Sequence, residues 1–97
     1  MGYFLDYNVK HMKKLEKTIK AFGNGSRLKI LQYLKNHQSS SVMDIAAGTK
    51  CSYKAVSKHL AILFQADIVD RKQAGFEMDY RLTDLADPAA AALLKLL

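Results

Sequence analysis

Residues 51–63, CSYKAVSKHLAIL, constrain the fold more than any other stretch of the chain. The hydroxyl oxygen of Ser52 can cap a helix here, because it can accept a hydrogen bond from a backbone N–H one turn later. Val56, Leu60 and Leu63 then recur at helical spacing and predict a buried stripe. The opposite side of the first turns carries polar residues, namely Tyr53, Lys54, Ser57 and Lys58. This pattern predicts a recognition helix whose N-terminal end faces base edges in a DNA major groove.

The size and composition of the chain exclude several classes of protein. Its 97 residues form one domain, 1–97, with a single modest core. The net charge of +6 favours a polyanionic partner without identifying one. One cysteine, Cys51, excludes an internal disulfide and a cysteine-rich metal site. The most apolar run, residues 89–97, is too short to span a membrane, and no signal peptide opens the chain. We therefore expect a cytoplasmic protein with no membrane partner.

Three further helices are predicted before residue 51. In residues 7–22 apolar side chains recur every three or four positions, as Met12, Leu15, Ile19 and Phe22. The polar side of this helix is rich in lysine (Lys10, Lys13, Lys14, Lys17 and Lys20), and the pattern fits a solvated face and a phosphate-facing one equally well. Gly23-Asn24-Gly25 ends this helix, and a second is predicted over residues 26–36. A polar connection follows at residues 39–41, and Ser41 with Asp44 forms a capping box for a short helix over residues 42–47.

The next elements predict a winged helix-turn-helix. Two short helices joined by a tight turn, within residues 42–66, form a helix-turn-helix. Residues 68–73 and 76–82 predict two strands around Ala74-Gly75, and this hairpin over residues 68–82 forms a wing. Alternation in the second strand places Phe76, Met78 and Tyr80 on one face. The predicted fold is mostly α, with about five helices and a two-stranded wing.

The C-terminal segment predicts a homodimer. Asp87 can cap a last helix whose first position is Pro88. Apart from Lys95 this helix has no polar face, so a monomer leaves much apolar surface in water. We expect residues 1–22 and 84–97 to form the dimer interface, through Met12, Leu15, Ile19, Leu93, Leu94 and Leu97. The alternative is that the tail covers the core of its own chain.

Three motifs in this order resemble the arsenic-repressor (ArsR/SmtB) family of winged-helix transcriptional repressors over about residues 21–84. They are AFGNGSRLKIL at 21–31, SYKAVSKHL at 52–60, and ADIV at 66–69 followed by Gly75 and YRLTD at 80–84. The chain departs from the family pattern with Gly25 for a proline, Lys50 for a turn glycine and Phe76 for an arginine. Either the turn is rebuilt around Gly48, or Lys50 adopts a left-handed conformation at a cost of about 1 kcal/mol.

The resemblance raises the question of metal sensing, and the sequence argues against it. The family's thiolate pair lies on the helix before the turn, where this chain reads VMDIA and has no thiol. The family's other site uses Asp and His ligands from the last helix, but residues 84–97 contain no histidine. We expect no metal and no other cofactor. Thiol sensing by Cys51 is an alternative, but two recognition helices about 34 Å apart cannot share a disulfide. The simpler interpretation is that Cys51 is a small buried residue.

These observations predict a dimeric repressor that binds double-stranded operator DNA and is not an enzyme. We expect phosphate contacts from Ser40, Ser41 and Lys50, and contacts to bases and nearby phosphates from the recognition helix. Arg71, Lys72 and Gln73 would bring the wing to the neighbouring backbone or minor groove. The full set of predicted DNA-binding residues is Ser40, Ser41, Lys50, Ser52, Tyr53, Lys54, Ser57, Lys58, His59, Arg71, Lys72 and Gln73. The alternative is a protein–protein interaction module that docks through the hairpin and its neighbouring helix.

Overall fold

The computed structural model describes residues 2–84 and 87–97, with side chains from residue 8 onward. These residues form five helices and three strands: α1 (Gly2–Phe22), α2 (Gly25–Lys35), β1 (Ser40–Ser41), α3 (Val42–Thr49), α4 (Tyr53–Gln65), β2 (Val69–Ala74), β3 (Glu77–Leu82) and α5 (Pro88–Lys95). The predicted winged helix-turn-helix is confirmed. No helix in the described ranges is both long and apolar enough to cross a membrane.

Short polar side chains fix where four of the helices begin, because each satisfies a backbone N–H that the helix leaves without a partner. Asn24 caps α2, Ser41 caps α3, Ser52 caps α4 and Asp87 caps α5. The sequence predicted the last three. α1 begins at Gly2, five residues earlier than expected, and α3 runs on to Thr49 instead of ending at residue 47.

The turn between α3 and α4 depends on Lys50 and not on Gly48. Lys50 has the left-handed angles φ 57° and ψ 34°, and its backbone N–H donates to the carbonyl oxygen of Ala46. Gly48 lies inside α3, where its Cα faces the ring of Tyr33 so closely that any side chain would overlap that ring. The glycine is therefore needed for close packing of α3 on α2.

The sheet has one strand more than the sequence predicted. Ser40 and Ser41 pair with Tyr80 and Asp79, giving a three-stranded antiparallel sheet in the order β1-β3-β2. The wing is the β2–β3 hairpin, in which Ala74 pairs with Glu77. Its two-residue turn is thus Gly75-Phe76, one residue later than expected, with Gly75 at φ 64°.

All five helices and the sheet contribute to one core. Its largest fully buried side chains are Ile30, Leu31, Ile45, Val56, Leu60, Leu63, Ile68 and Val69. Val56, Leu60 and Leu63 among them form the predicted stripe of α4. α5 packs against α1 and the core through buried Ala90, with Leu93, Leu94 and Leu97 partly buried on the same core. The exposed leucine of this region is Leu96, at 81%. Leu93 and Leu94 of α5 and the following Leu97 thus pack partly against the core of their own chain, and their place in a dimer interface stays a prediction.

Candidate nucleic-acid interface

Helix α4 presents a polar, cationic surface on its N-terminal half. Burial of Val56, Leu60 and Leu63, each 0% exposed, fixes the rotation of the helix about its axis. The exposed residues of its first two turns are those that the sequence indicated: Tyr53, Lys54, Ser57 and Lys58. The helix contains no acidic residue, and the partial positive charge of its N-terminus adds to that of the two lysines.

The three residues just before α4 are Lys50, Cys51 and Ser52, and the side chains of the last two make hydrogen bonds. The side chain of Lys50 is exposed, two residues before the cap of α4. The hydroxyl of Ser52 accepts the backbone N–H of Ala55 at 3.1 Å, so its first role is to cap the helix. Cys51 is half-buried, and its thiol donates to the carbonyl oxygen of Thr49 at 3.6 Å. That placement agrees with a small packing residue.

Ser40 and Ser41 lie differently from what the sequence suggested. Both are buried, because pairing of β1 with β3 carries them into the sheet. The hydroxyl of Ser40 lies 3.1 Å from that of Tyr33, and the hydroxyl of Ser41 accepts the backbone N–H of Asp44. The structure does not bring these two hydroxyls to the surface, which corrects the expectation that they meet phosphates.

His59 also faces away from the exposed surface of α4. Its Nδ1 atom lies 3.3 Å from Nη1 of Arg27, which makes it an acceptor for the guanidinium. Burial and, secondarily, the Arg27 charge lower the pKa of His59 below its ordinary value of 6.5. His59 was predicted as a DNA contact, but the structure gives it a contact between helices.

Arg27 links the end of α1 to α4, and the sequence did not indicate this role. Its Nε donates to the carbonyl oxygen of Ala21 at 2.7 Å, and Nη2 donates to that of Lys20 at 3.0 Å. The guanidinium thereby caps the C-terminus of α1 while also contacting α4. In the sequence Arg27 stands out only as part of the motif at residues 21–31, and that motif does not indicate what its side chain contacts.

The three wing residues that were predicted to contact DNA, Arg71, Lys72 and Gln73, lie on two different faces of the hairpin. The Arg71 guanidinium packs over the Phe64 ring, 4.0 Å from its centroid, and Gln73 Nε2 donates to the carbonyl oxygen of Gly75 at 2.9 Å. Lys72 lies on the other face, opposite Asp79. At the tip Phe76 is fully exposed, at 106%. All three predicted residues are exposed, but they do not form one continuous cationic face.

A metal site is not assembled by the part of the chain that the structure describes: no three His, Cys, Asp or Glu side chains come together there.

Comparison with known proteins identifies the family. A sequence profile described as "Bacterial regulatory protein, arsR family" matches residues 24–71, from the cap of α2 to β2. No curated protein sequence matches the chain significantly.

Solved structures match along most of the chain. The homodimeric winged helix-turn-helix DNA-binding domain Mb0332 from Mycobacterium bovis, a possible ArsR-family regulator, is 27% identical, with a TM-score of 0.80 over 94% of this chain and 81% of that one. HlyU from Vibrio cholerae is 28% identical, with a TM-score of 0.76 over 90% of each chain. The AntR antimony-specific transcriptional repressor is 29% identical, with a TM-score of 0.70 over 81% of this chain and 68% of that one. The chain belongs to the arsR family of bacterial regulatory proteins, as a winged helix-turn-helix protein that binds DNA and regulates transcription.

Proposed function

We propose that the protein is a homodimeric repressor that binds a specific double-stranded DNA site without using a metal. The observation that carries the proposal is the surface of α4. Its core-facing stripe is fully buried, and Tyr53, Lys54, Ser57 and Lys58 are all exposed at the helix start. Tyrosine, serine and lysine side chains at this end of a recognition helix reach base edges and nearby phosphates. Lys50, at the turn, adds a phosphate contact.

Helix α1 supplies the argument for two copies. Its exposed apolar side chains Met12, Leu15 and Ile19 follow one another at helical spacing, and we call them the apolar flank. Such a stripe is costly in water and is removed from it when a second copy packs against it. The similar domain from Mycobacterium bovis is homodimeric. Two copies would place their recognition helices in successive major grooves, about 34 Å apart.

Repression needs only occupation of a promoter, so no catalytic group is required. AntR, which is similar along most of the chain, is a transcriptional repressor. AntR is antimony-specific, whereas this chain has one cysteine in 97 residues and no histidine in 84–97. We therefore propose that its activity is not controlled by a thiolate-bound metal. A DNA-binding regulator of this kind acts in the cytoplasm.

A second function has one observation in its favour. Met43, Tyr53 and Phe76 are exposed apolar side chains around a groove between α3, the start of α4 and the wing tip. A winged helix that docks on another protein would use such a groove. The lysines beside it favour DNA as the partner.

Selection of bound sequences from a random duplex pool tests the proposal, followed by the mass of the selected complex in solution. We expect enrichment of a palindromic sequence and two protein chains per duplex. A variant with Lys54→Ala and Lys58→Ala should bind that duplex at least about tenfold more weakly. The control variant with Lys35→Ala and Lys95→Ala loses the same charge away from α4 and should bind normally. No enrichment at low ionic strength would contradict the proposal.

A further inference from the structure

A cleft of about 360 Å³ lies between the C-terminal part of α1, the start of α2 and the C-terminal half of α4. Its floor is apolar and is formed by Ala21, Ala61, Ile62 and Ala66. Its volume falls within the range of small-molecule sites. Aromatic side chains are missing from its lining within the described residues, so the ring of a nucleotide base has nothing to stack on. This floor suits an aliphatic chain.

The rim of the cleft is cationic. Lys17, Lys20 and Arg27 line it, and the other polar lining residue is Gln65. Arg27 is held in place by its hydrogen bonds to the carbonyl oxygens of Lys20 and Ala21 and by its contact with His59. These contacts use three of the five N–H groups of a guanidinium and leave two for a ligand. A fixed guanidinium beside two flexible ammonium groups favours a carboxylate.

One acidic residue lies near this rim and does not neutralise it. Glu16 Oε1 is 3.9 Å from Lys20 Nζ, and both side chains are largely exposed. An exposed pair at that distance contributes little, so Lys20 stays available to a bound anion.

The cleft is separate from both surfaces used in the proposed function. At 100° per residue, Lys17 and Lys20 lie on the side of α1 away from the apolar flank, with buried Thr18, Ala21 and Phe22 between the two sides. Ile62 lies nine residues after Tyr53 on α4, a distance of about 14 Å along the helix axis. A partner chain on the apolar flank and DNA at the start of α4 therefore leave the cleft open.

We propose that this cleft binds an aliphatic monocarboxylate, with its hydrocarbon chain on the apolar floor and its carboxylate at the cationic rim. Binding is measured on the free protein, so the proposal does not depend on the DNA function.

Titration of the isotope-labelled protein with decanoate, followed by backbone amide NMR, tests the site. We expect saturable shifts centred on Ala61, Ile62 and Ala66. Acetate, which lacks the chain, and decyltrimethylammonium, which reverses the charge, should leave these signals in place. Ala61→Phe fills the cleft from an exposed helix position and should abolish the shifts while the protein still melts cooperatively.

A pair of charge variants separates a specific site from general attraction to a basic protein. The variant with Lys17→Ala and Lys20→Ala should bind decanoate about three- to thirtyfold more weakly. The control with Lys10→Ala and Lys13→Ala removes the same charge from the same helix outside the cleft and should bind normally. The proposal is wrong if decanoate causes no shifts at the cleft, if the cationic surfactant binds as well, or if both lysine pairs weaken binding equally.

Discussion

Lys50 strains the backbone at the turn of the helix-turn-helix, because its φ of 57° crowds the Cβ of any residue other than glycine. Lys50→Gly should raise the free energy of unfolding by about 0.5–1 kcal/mol. Lys50→Ala loses the same charge but keeps the Cβ, so it should give no such gain. Urea denaturation compares the two variants, and an equal gain in both would show that charge and not backbone strain is responsible.

His59 makes the stability of the fold sensitive to acid. Burial, with a further contribution from Arg27, lowers its pKa in the folded protein below 6.5, so the unfolded chain takes up a proton first as the pH falls. The free energy of unfolding should therefore decrease as the pH falls below about 6.5. Thermal melts between pH 7.5 and 5.5 should show a smaller loss for His59→Gln than for the natural protein. Identical pH profiles would refute this role for His59.

At the scale of elements, the packing of α3 on α2 depends on Gly48. A Cβ at this position would overlap the Tyr33 ring, which is itself stacked on His37 and hydrogen-bonded to Ser40. Gly48→Ala should lower the free energy of unfolding by about 1–3 kcal/mol. Gly25→Ala is the matched control, since its Cβ would meet nothing within 4 Å and should be neutral or slightly stabilising. Calorimetry of both variants tests the difference, and equal stabilities would contradict it.

The starts of α3, α4 and α5 were predictable because their signals are local. Ser41, Ser52 and Asp87 each stand directly before the helix they cap, and each does so in the structure. Strand β1 was not predictable, because two serines have no periodicity and their partner β3 lies far along the chain. The early start of α1 was missed because no capping residue precedes Gly2 and the run Tyr3-Phe4-Leu5 shows no helical spacing.

The exposed surface of α4 was predictable for the same local reason. Three buried residues at helical spacing decide which side chains the helix leaves in solvent, and these include Tyr53 at 59% exposure. The positions of Ser40 and His59 depend on contacts with β3 and Arg27, which are remote in sequence. A local pattern carries no information about such contacts.

At the scale of the whole molecule, the apolar flank of α1 predicts how the protein assembles. Ile19→Glu should convert a dimer to a monomer, because Ile19 is 53% exposed on the apolar flank and a partner chain there would bury the added charge. Binding to a duplex with two half-sites should weaken by about 100-fold or more, since each monomer then binds its half-site independently. Ile62→Glu is the matched control, exposed at 45% but away from this flank. Sedimentation equilibrium gives the masses, and a natural protein that is already monomeric contradicts the dimer.

The salt dependence of DNA binding is the sharpest test of the proposed interface, because it reports how many phosphates are neutralised at the surface proposed to meet them. The slope of log K against log salt is about 0.9 for each phosphate neutralised. On the selected duplex, Lys54→Ala with Lys58→Ala should reduce its magnitude by roughly 2 to 4, because each subunit of a dimer then neutralises one or two phosphates fewer. Lys35→Ala with Lys95→Ala should leave the slope unchanged. Equal slopes of log K against log salt for the α4 variant and the natural protein would show that DNA does not bind at the start of this helix.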